Sequence, residues 1–116
     1  MNRLNYTNFL RENLYQFIDY LNDNIDSLEN QKINYLTLDY TNKHFIKFNT
    51  FLKNLKLDLY ENNENDVLYY QNLDQFEEAY LYAIEFQKIN EYQRAQEQFD
   101  IAYSYLIINY ELDFDI

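Results

Sequence analysis

The chain has 116 residues, a net charge of −11, 20% aromatic residues, and no Gly, Pro or Cys. Its length fits one domain over residues 1–116 with a single modest core. Without Cys there is no disulfide framework and no thiolate chemistry; without Gly there is no phosphate-cradling loop, which excludes Walker-type and dinucleotide-binding motifs.

The composition points to helices. At average usage about 8 Gly and 6 Pro would be expected, and neither belongs in a helix interior. Turns that need positive φ fall to Asn, of which there are 17. The 14 Tyr and 9 Phe supply core volume, and make the chain too apolar to stay disordered. No apolar run approaches membrane-spanning length and the N-terminus lacks a signal-peptide core, so a soluble, cytoplasmic protein is expected. The abundance of Asn, Ile, Lys and Tyr suggests an AT-rich source genome, such as that of a low-GC bacterium, its phage or a plasmid. Charge is unevenly placed. Residues 1–56 hold seven Lys/Arg and six Asp/Glu, net +1, whereas residues 57–116 hold two and fourteen, net −12. Acidity gathered in one half suggests a basic partner surface and opposes direct nucleic-acid binding by that half.

In chain order, residues 1–5 read as a short cap, with Asn5 or Thr7 as N-cap of the first helix. Phe9, Leu10, Leu14, Phe17, Ile18, Leu21, Ile25 and Leu28 follow helical spacing, with Asp19, Asp23, Asp26 and Glu29 on the other side. This predicts a helix over about 7–28, packed across a C-terminal hairpin. Residues 33–40 carry strand formers, and Leu36, Leu38 and Tyr40 alternate with polar or small residues. They read either as half of a β-hairpin over about 33–48 or as an extended connection. The longer pattern of Phe45, Phe48, Phe51, Leu52, Leu55 and Leu59 favours the second, with a helix over about 42–56. Lys43, Lys47, Lys53 and Lys56 make this the basic element, a face that pairs with the acidic half within the molecule or across a dimer.

Residues 57–66 read as a charged loop. Its Asp58, Glu61, Glu64 and Asp66 lack the Gly and the terminal Glu spacing of an EF-hand, so no metal site is expected. Val67, Leu68, Tyr69, Tyr70 and Leu73 begin a helical stretch, broken near Asn72 or running on into the hairpin. That hairpin, Phe76 to Asn109, is the clearest signal. Phe76, Ala79, Tyr80, Ala83 and Phe86 share one helical face, and Tyr92, Ala95, Phe99, Ala102, Tyr103 and Leu106 share another, across a turn at Lys88–Glu91. Small Ala among large rings lets two helix backbones approach.

The same stretch resembles one tetratricopeptide repeat, a helix–turn–helix unit of about 34 residues. Ala83 and Phe86 fall where that family's first helix has its small residue and its aromatic. Tyr92, Ala95, Phe99 and Ala102 match the Y-x-x-A-x-x-x-F-x-x-A run of its second helix. The resemblance covers 34 of the 116 residues and implies a helical hairpin. The family's Trp, Gly and closing Pro are missing, and one repeat upstream Glu61, Asn65 and Leu68 break the pattern. One hairpin is therefore implied rather than an array, and the family's peptide groove is not carried over. The tail Tyr110–Ile116 alternates apolar and acidic residues and reads as an edge strand, a partner-binding tail or a frayed end. The expected fold class is all-α, a bundle of four or five helices with the hairpin at its C-terminus; the alternative is α+β with the β-hairpin at 33–48.

Chemistry-bearing sets are missing. His44 is the one His, with no second His or Glu-x-x-His spacing, and the expected role is a partly exposed helix residue. Ser27 and Ser104 are the only serines, and no nucleophile–base set follows from them. No catalytic residue, cofactor or enzymatic activity is expected. What remains is an acidic helical surface: Asp74, Glu77, Glu78 and Glu85 on the first hairpin helix, and Glu91, Glu97 and Asp100 on the second. Carboxylates one turn apart sit roughly 5–6 Å from each other, the same order as successive phosphates on a strand. Exposed Tyr82 or Tyr105 would anchor the contact.

The implied function is a non-catalytic inhibitor that occupies the basic nucleic-acid-binding surface of a host defence enzyme, as anti-CRISPR and anti-restriction proteins do. The analogy is one of size, acidity and composition. Alternatives are an immunity- or antitoxin-like protein that neutralises a basic toxin, a helical adaptor, and acidity that serves solubility alone. The candidate contact residues are Asp74, Glu77, Glu78, Tyr82, Glu85, Glu97 and Asp100. Complementary basic and acidic faces also suit a homodimer.

Overall fold

Each apolar stripe builds one helix. In the computed structural model these are α1 (Arg3–Glu29), α2 (Tyr35–Glu61), α3 (Val67–Lys88) and α4 (Tyr92–Phe114). The structure describes residues 3–29, 35–61 and 66–114, and among these only Asp66 and the turn at 89–91 are not helical. The fold is an all-α four-helix bundle. No strand occurs among the described residues. No described helix is long and apolar enough to cross a membrane.

Ring pairs fix the topology. Phe9 meets Phe51 and Phe17 meets His44, so α1 and α2 run antiparallel. Tyr15 meets Tyr103 and Phe17 meets Phe99, so α1 and α4 do too. Phe48 meets Phe76 and Phe45 meets Tyr80, which makes α2 and α3 antiparallel. The result is an up-down-up-down bundle, 46 × 21 × 21 Å. Leu10, Leu14, Phe17, Phe48, Leu55, Phe76, Phe99 and Leu106 are among its buried core residues, drawn from all four helices.

Side-chain size sets the spacing. Ala79, Ala83, Ala95 and Ala102 are at most 5% exposed, and their small side chains let the backbones of α3 and α4 pack closely. Between α2 and α3 the fillers are the rings of Phe45, Phe48, Phe76 and Tyr80, with Phe48 and Tyr80 stacked at 4.6 Å. Those rings hold the two backbones apart: among the described residues no Cα of α2 comes within 8 Å of one in α3.

One end of the bundle is tied by polar links. The Asp66 carboxylate caps α3 by accepting from the Tyr69 N–H at 3.1 Å, and it pairs with Arg3 at 3.4 Å. The Arg3 guanidinium lies 4.3 Å from the Tyr69 ring centroid. Asn109 of α4, 1% exposed, donates to the Tyr69 carbonyl at 3.2 Å. The Thr7 hydroxyl donates to the Arg3 carbonyl at 2.9 Å, so the Tyr69 hydroxyl, 2.7 Å away, is the donor to Thr7. At the other end, Asn90 takes φ 64° and reverses the chain between α3 and α4, the left-handed role that Gly would ordinarily fill. The Glu91 N–H donates to the Phe86 carbonyl at 2.9 Å across this turn.

Several expectations are corrected. Thr7 is no N-cap: α1 begins at Arg3, and Thr7 is buried one turn inside it. The extended connection expected over 33–40, and with it the alternative β-hairpin over 33–48, is replaced by helix from Tyr35 onward; positions 33–34 lie outside the described residues. The strand formers there cost only tenths of a kcal/mol each in a helix, and extending an established helix is cheap. The loop expected from residue 57 is helix through Glu61, because Leu59, 1% exposed, continues the core stripe; 62–65 lie outside the described residues. α3 runs through Asn72 without a break. The tail is the last turns of α4 as far as Phe114, and the Arg11 guanidinium sits 4.6 Å from the Tyr110 ring. Residues 115–116 lie outside the described residues, as do the side chains of Ile25 and Leu28.

Two tyrosines of similar burial predict opposite effects. Tyr69→Phe removes a satisfied buried hydrogen bond and should cost about 1–1.5 kcal/mol. The Tyr80 hydroxyl is buried with no hydrogen-bond partner, and burial raises its pKa. Tyr80→Phe should therefore be neutral or gain up to about 1 kcal/mol. Urea unfolding of both variants reads the contrast, and equal losses would contradict it.

Candidate functional site

Helical geometry decides which of the candidate acids work together. Along α3, Asp74, Glu78 and Glu85 lie four and seven residues apart, hence in one row on the face opposite Phe76, Tyr80 and Ala83. All three are exposed, and Tyr82, 54% exposed, stands beside the row. The row spans about 16 Å at 1.5 Å per residue. Glu85 pairs with Lys88 at 3.3 Å, both side chains well exposed, a contact of little strength. Asp74 and Glu78 make no ion pair among the described residues.

Glu77 is different. It is half-buried, sits at the α2–α3 boundary, and forms an ion pair with Lys56. Its charge is compensated within the molecule, so it does not belong to the open row. This contact pairs one lysine of the basic helix with the acidic half within the molecule.

Glu97 and Asp100 are exposed on α4 but do not join the α3 row. Between the two sets lies a groove walled by Gln75, Glu78 and Tyr82 of α3 and by Gln98, Ile101 and Tyr105 of α4, with Ala79 in its floor. Asp100 precedes Ile101 by one residue and so sits about 100° round α4 from it, whereas Glu97, four residues before Ile101, is only about 40° from it and borders the groove's outer rim. Asp100 therefore lies toward the flank of α4 where Tyr103 meets Tyr15, and Glu97 lies on the outward face between that flank and the groove. Partial burial lifts the Asp100 pKa above its ordinary value. The expected single array is thus two rows with an aromatic and amide strip between them.

A second concave region lies between α1 and α2, lined by Asn13, Gln16, Lys43, His44 and Lys47. His44, expected as a partly exposed helix residue, is 9% exposed and stacks flat on Phe17, centroids 4.0 Å apart and planes 7° apart. Its place one turn before Phe48 on the stripe is the signal that would have found it. Its Nε2 has no hydrogen-bond partner. Burial, with Lys47 one turn away as the lesser cause, lowers its pKa from 6.5 to about 4. No group of three or more His, Cys, Asp or Glu able to hold a metal occurs among the described residues.

No protein-family model matches this chain, and comparison with the curated proteins and with the solved structures likewise finds no match. The assignment of function thus rests on the site.

His44 gives a pH prediction. Its folded pKa is depressed, so the unfolded chain takes up a proton first as the pH falls. The associated stability is full above pH 6.5 and is lost as the pH falls through 4. Relative to His44→Phe, the native protein should lose about 2 kcal/mol of unfolding free energy between about pH 7 and 4.5. Denaturant melts of both proteins at the two pH values measure this, and a constant difference would refute it.

Proposed function

We propose that this protein is a non-catalytic inhibitor that binds a basic protein surface, occupying the nucleic-acid-binding site of a host defence enzyme in the manner of anti-CRISPR and anti-restriction proteins. The observation that carries the reading is the α3 row of Asp74, Glu78 and Glu85. These are exposed carboxylates at helical repeat distances, on a rigid element, and outside the core cluster. The second set, Glu97 and Asp100 on α4, adds exposed charge across the groove from the row. Tyr82 and Tyr105, beside Glu78, supply aromatic area for the centre of a contact.

A row of this kind acts chiefly through its field. Each exposed charge pair contributes only ~0.2–1 kcal/mol, but together the charges speed encounter with a basic surface and reject acidic ones. The experiment begins with capture of the partner from the source cell. The captured partner should bind nucleic acid, and this protein should compete that binding away. Reversal of the open carboxylates, Glu78→Lys, Glu85→Lys and Glu97→Lys together, should slow association by one to two orders of magnitude at low salt. The same variant should differ far less in ~0.5 M salt, where the screening length falls to about 4 Å. Helix content should be unchanged, because all three side chains are exposed. An unchanged association rate, or a partner with no affinity for nucleic acid, would overturn the reading.

A further inference from the structure

Toward the N-terminal end of α3 the bundle opens on its α2–α3 side. The wedge of rings that separates these helices ends near Phe48 and Phe76, and beyond it the fillers are Leu55, Leu59 and Leu73. The backbones stay apart while the fillers shrink, and a groove of about 330 Å³ is left at the surface. Leu59 and Leu73, 1% and 3% exposed, form its floor. Tyr60 and Tyr70 line it with aromatic area, and Tyr60 is 82% exposed, the most exposed of the large apolar side chains described. Asp74, Lys56 and Glu77 complete the lining.

The charges of this groove do not cancel. Lys56 and Glu77 neutralise each other in their ion pair, whereas Asp74 has no ion pair among the described residues. A net charge of one unit remains, negative, beside two phenol rings and an apolar floor. That combination complements one flat cation with an aliphatic stem. A guanidinium can pair with the carboxylate through its edge and lie against a ring through its face, while its methylenes cover the leucines.

We propose that the α2–α3 groove is a receptor for a single arginine side chain of a basic protein partner. The inference rests on the reading of a basic partner given above and adds an anchor to it. Asp74, at the junction of groove and row, takes part in both. Arginine is favoured over lysine, because an ammonium can meet the carboxylate but cannot stack through a plane.

The test uses the intact protein and N-acetyl-arginine amide as probe, titrated to millimolar concentrations and followed by backbone and tyrosine-ring NMR shifts. Shifts should cluster at Tyr60, Tyr70 and Asp74. N-acetyl-lysine amide should bind several-fold more weakly. Tyr60→Ala and Asp74→Asn should each weaken arginine binding by about fivefold or more. Both side chains are exposed, so both variants should keep the native melting temperature. Shifts spread evenly over the carboxylates of α3 and α4, equal binding of the two probes, or variants that titrate like the native protein would overturn the proposal. The Glu78/Glu85/Glu97 reversal leaves the groove lining intact, and this separates the two readings. If groove variants titrate unchanged while the reversal slows partner association, the groove inference falls and the acidic row stands. If arginine binds as described while the reversal has no effect on association, the row falls and the groove stands.

Discussion

The rings of Phe17, Phe45, Phe48, Tyr80 and Phe99 meet near the middle of the bundle, and the positions of the four helices follow from their size. Phe17 packs edge-on against Phe99 at 5.3 Å, Phe45 lies 6.4 Å from Phe99, and Tyr80 bridges Phe48 and Phe99. Each helix contributes at least one ring to this layer. A layer so bulky cannot be compressed, since interiors are packed at crystal-like density. The compensation comes at the other contact, where alanines on α3 and α4 let two backbones close in. One tight interface and one spread interface are the two outcomes of the same volume constraint. The spread interface is the one that carries a groove.

Charge contributes little to this arrangement. The pairs Arg3–Asp66, Arg11–Glu12, Lys56–Glu77 and Lys88–Glu85 lie at the surface or the helix ends. Surface pairs of this kind are worth a fraction of a kcal/mol, whereas each large buried ring contributes several times as much. The excess of carboxylates in the second half therefore adds self-repulsion to the native state without being needed for the fold. Lys56 with Glu77 and Arg3 with Asp66 relieve part of it at two half-buried acids. Elsewhere on α3 the acids stay open to solvent. An acidic face maintained at some expense in stability is consistent with a surface that works by its field.

How much of this was legible in the sequence depends on what each feature rests on. The hairpin was legible because Ala79, Ala83, Ala95 and Ala102 alternate with large rings over a long, strictly helical pattern. The start of α2 was not, because Thr37, Thr41 and the tyrosines of 35–40 favour strand by local propensity, and the bundle overrides a bias of tenths of a kcal/mol. Its end was missed because Asp58 and Glu61 look like loop residues, while only Leu59 between them reports burial. The row on α3 could be read from the spacing of 74, 78 and 85. Its separation from Glu97 and Asp100 could not, since that depends on how α4 is turned against α3. The α2–α3 groove depends on interhelical distance, which no local pattern records. His44 was misjudged for a related reason: a titratable residue on a stripe is buried when its neighbours, here Phe17 across the core and Phe48 one turn on along α2, leave room for a flat ring.

The groove and the acidic row would act on different steps of one encounter. Charges on an exposed helix face are felt across a screening length of about 8 Å at physiological salt, so they act before contact and set how fast a basic surface arrives. They lose most of their influence once water and ions can still reach the pair. A carboxylate beside phenol rings and buried leucines is different. A guanidinium that enters there gives up water on contact, and the interaction gains strength because the surroundings are less polar than solvent. Contacts of that kind govern the rate of departure. Asp74 is the one open carboxylate of the α3 row that also lines the α2–α3 groove. The packing of Phe48 against Phe76, by keeping α2 away from α3, is what leaves that carboxylate beside an apolar recess instead of on a flat helix face. The core thereby determines the chemistry of the surface through the spacing it imposes.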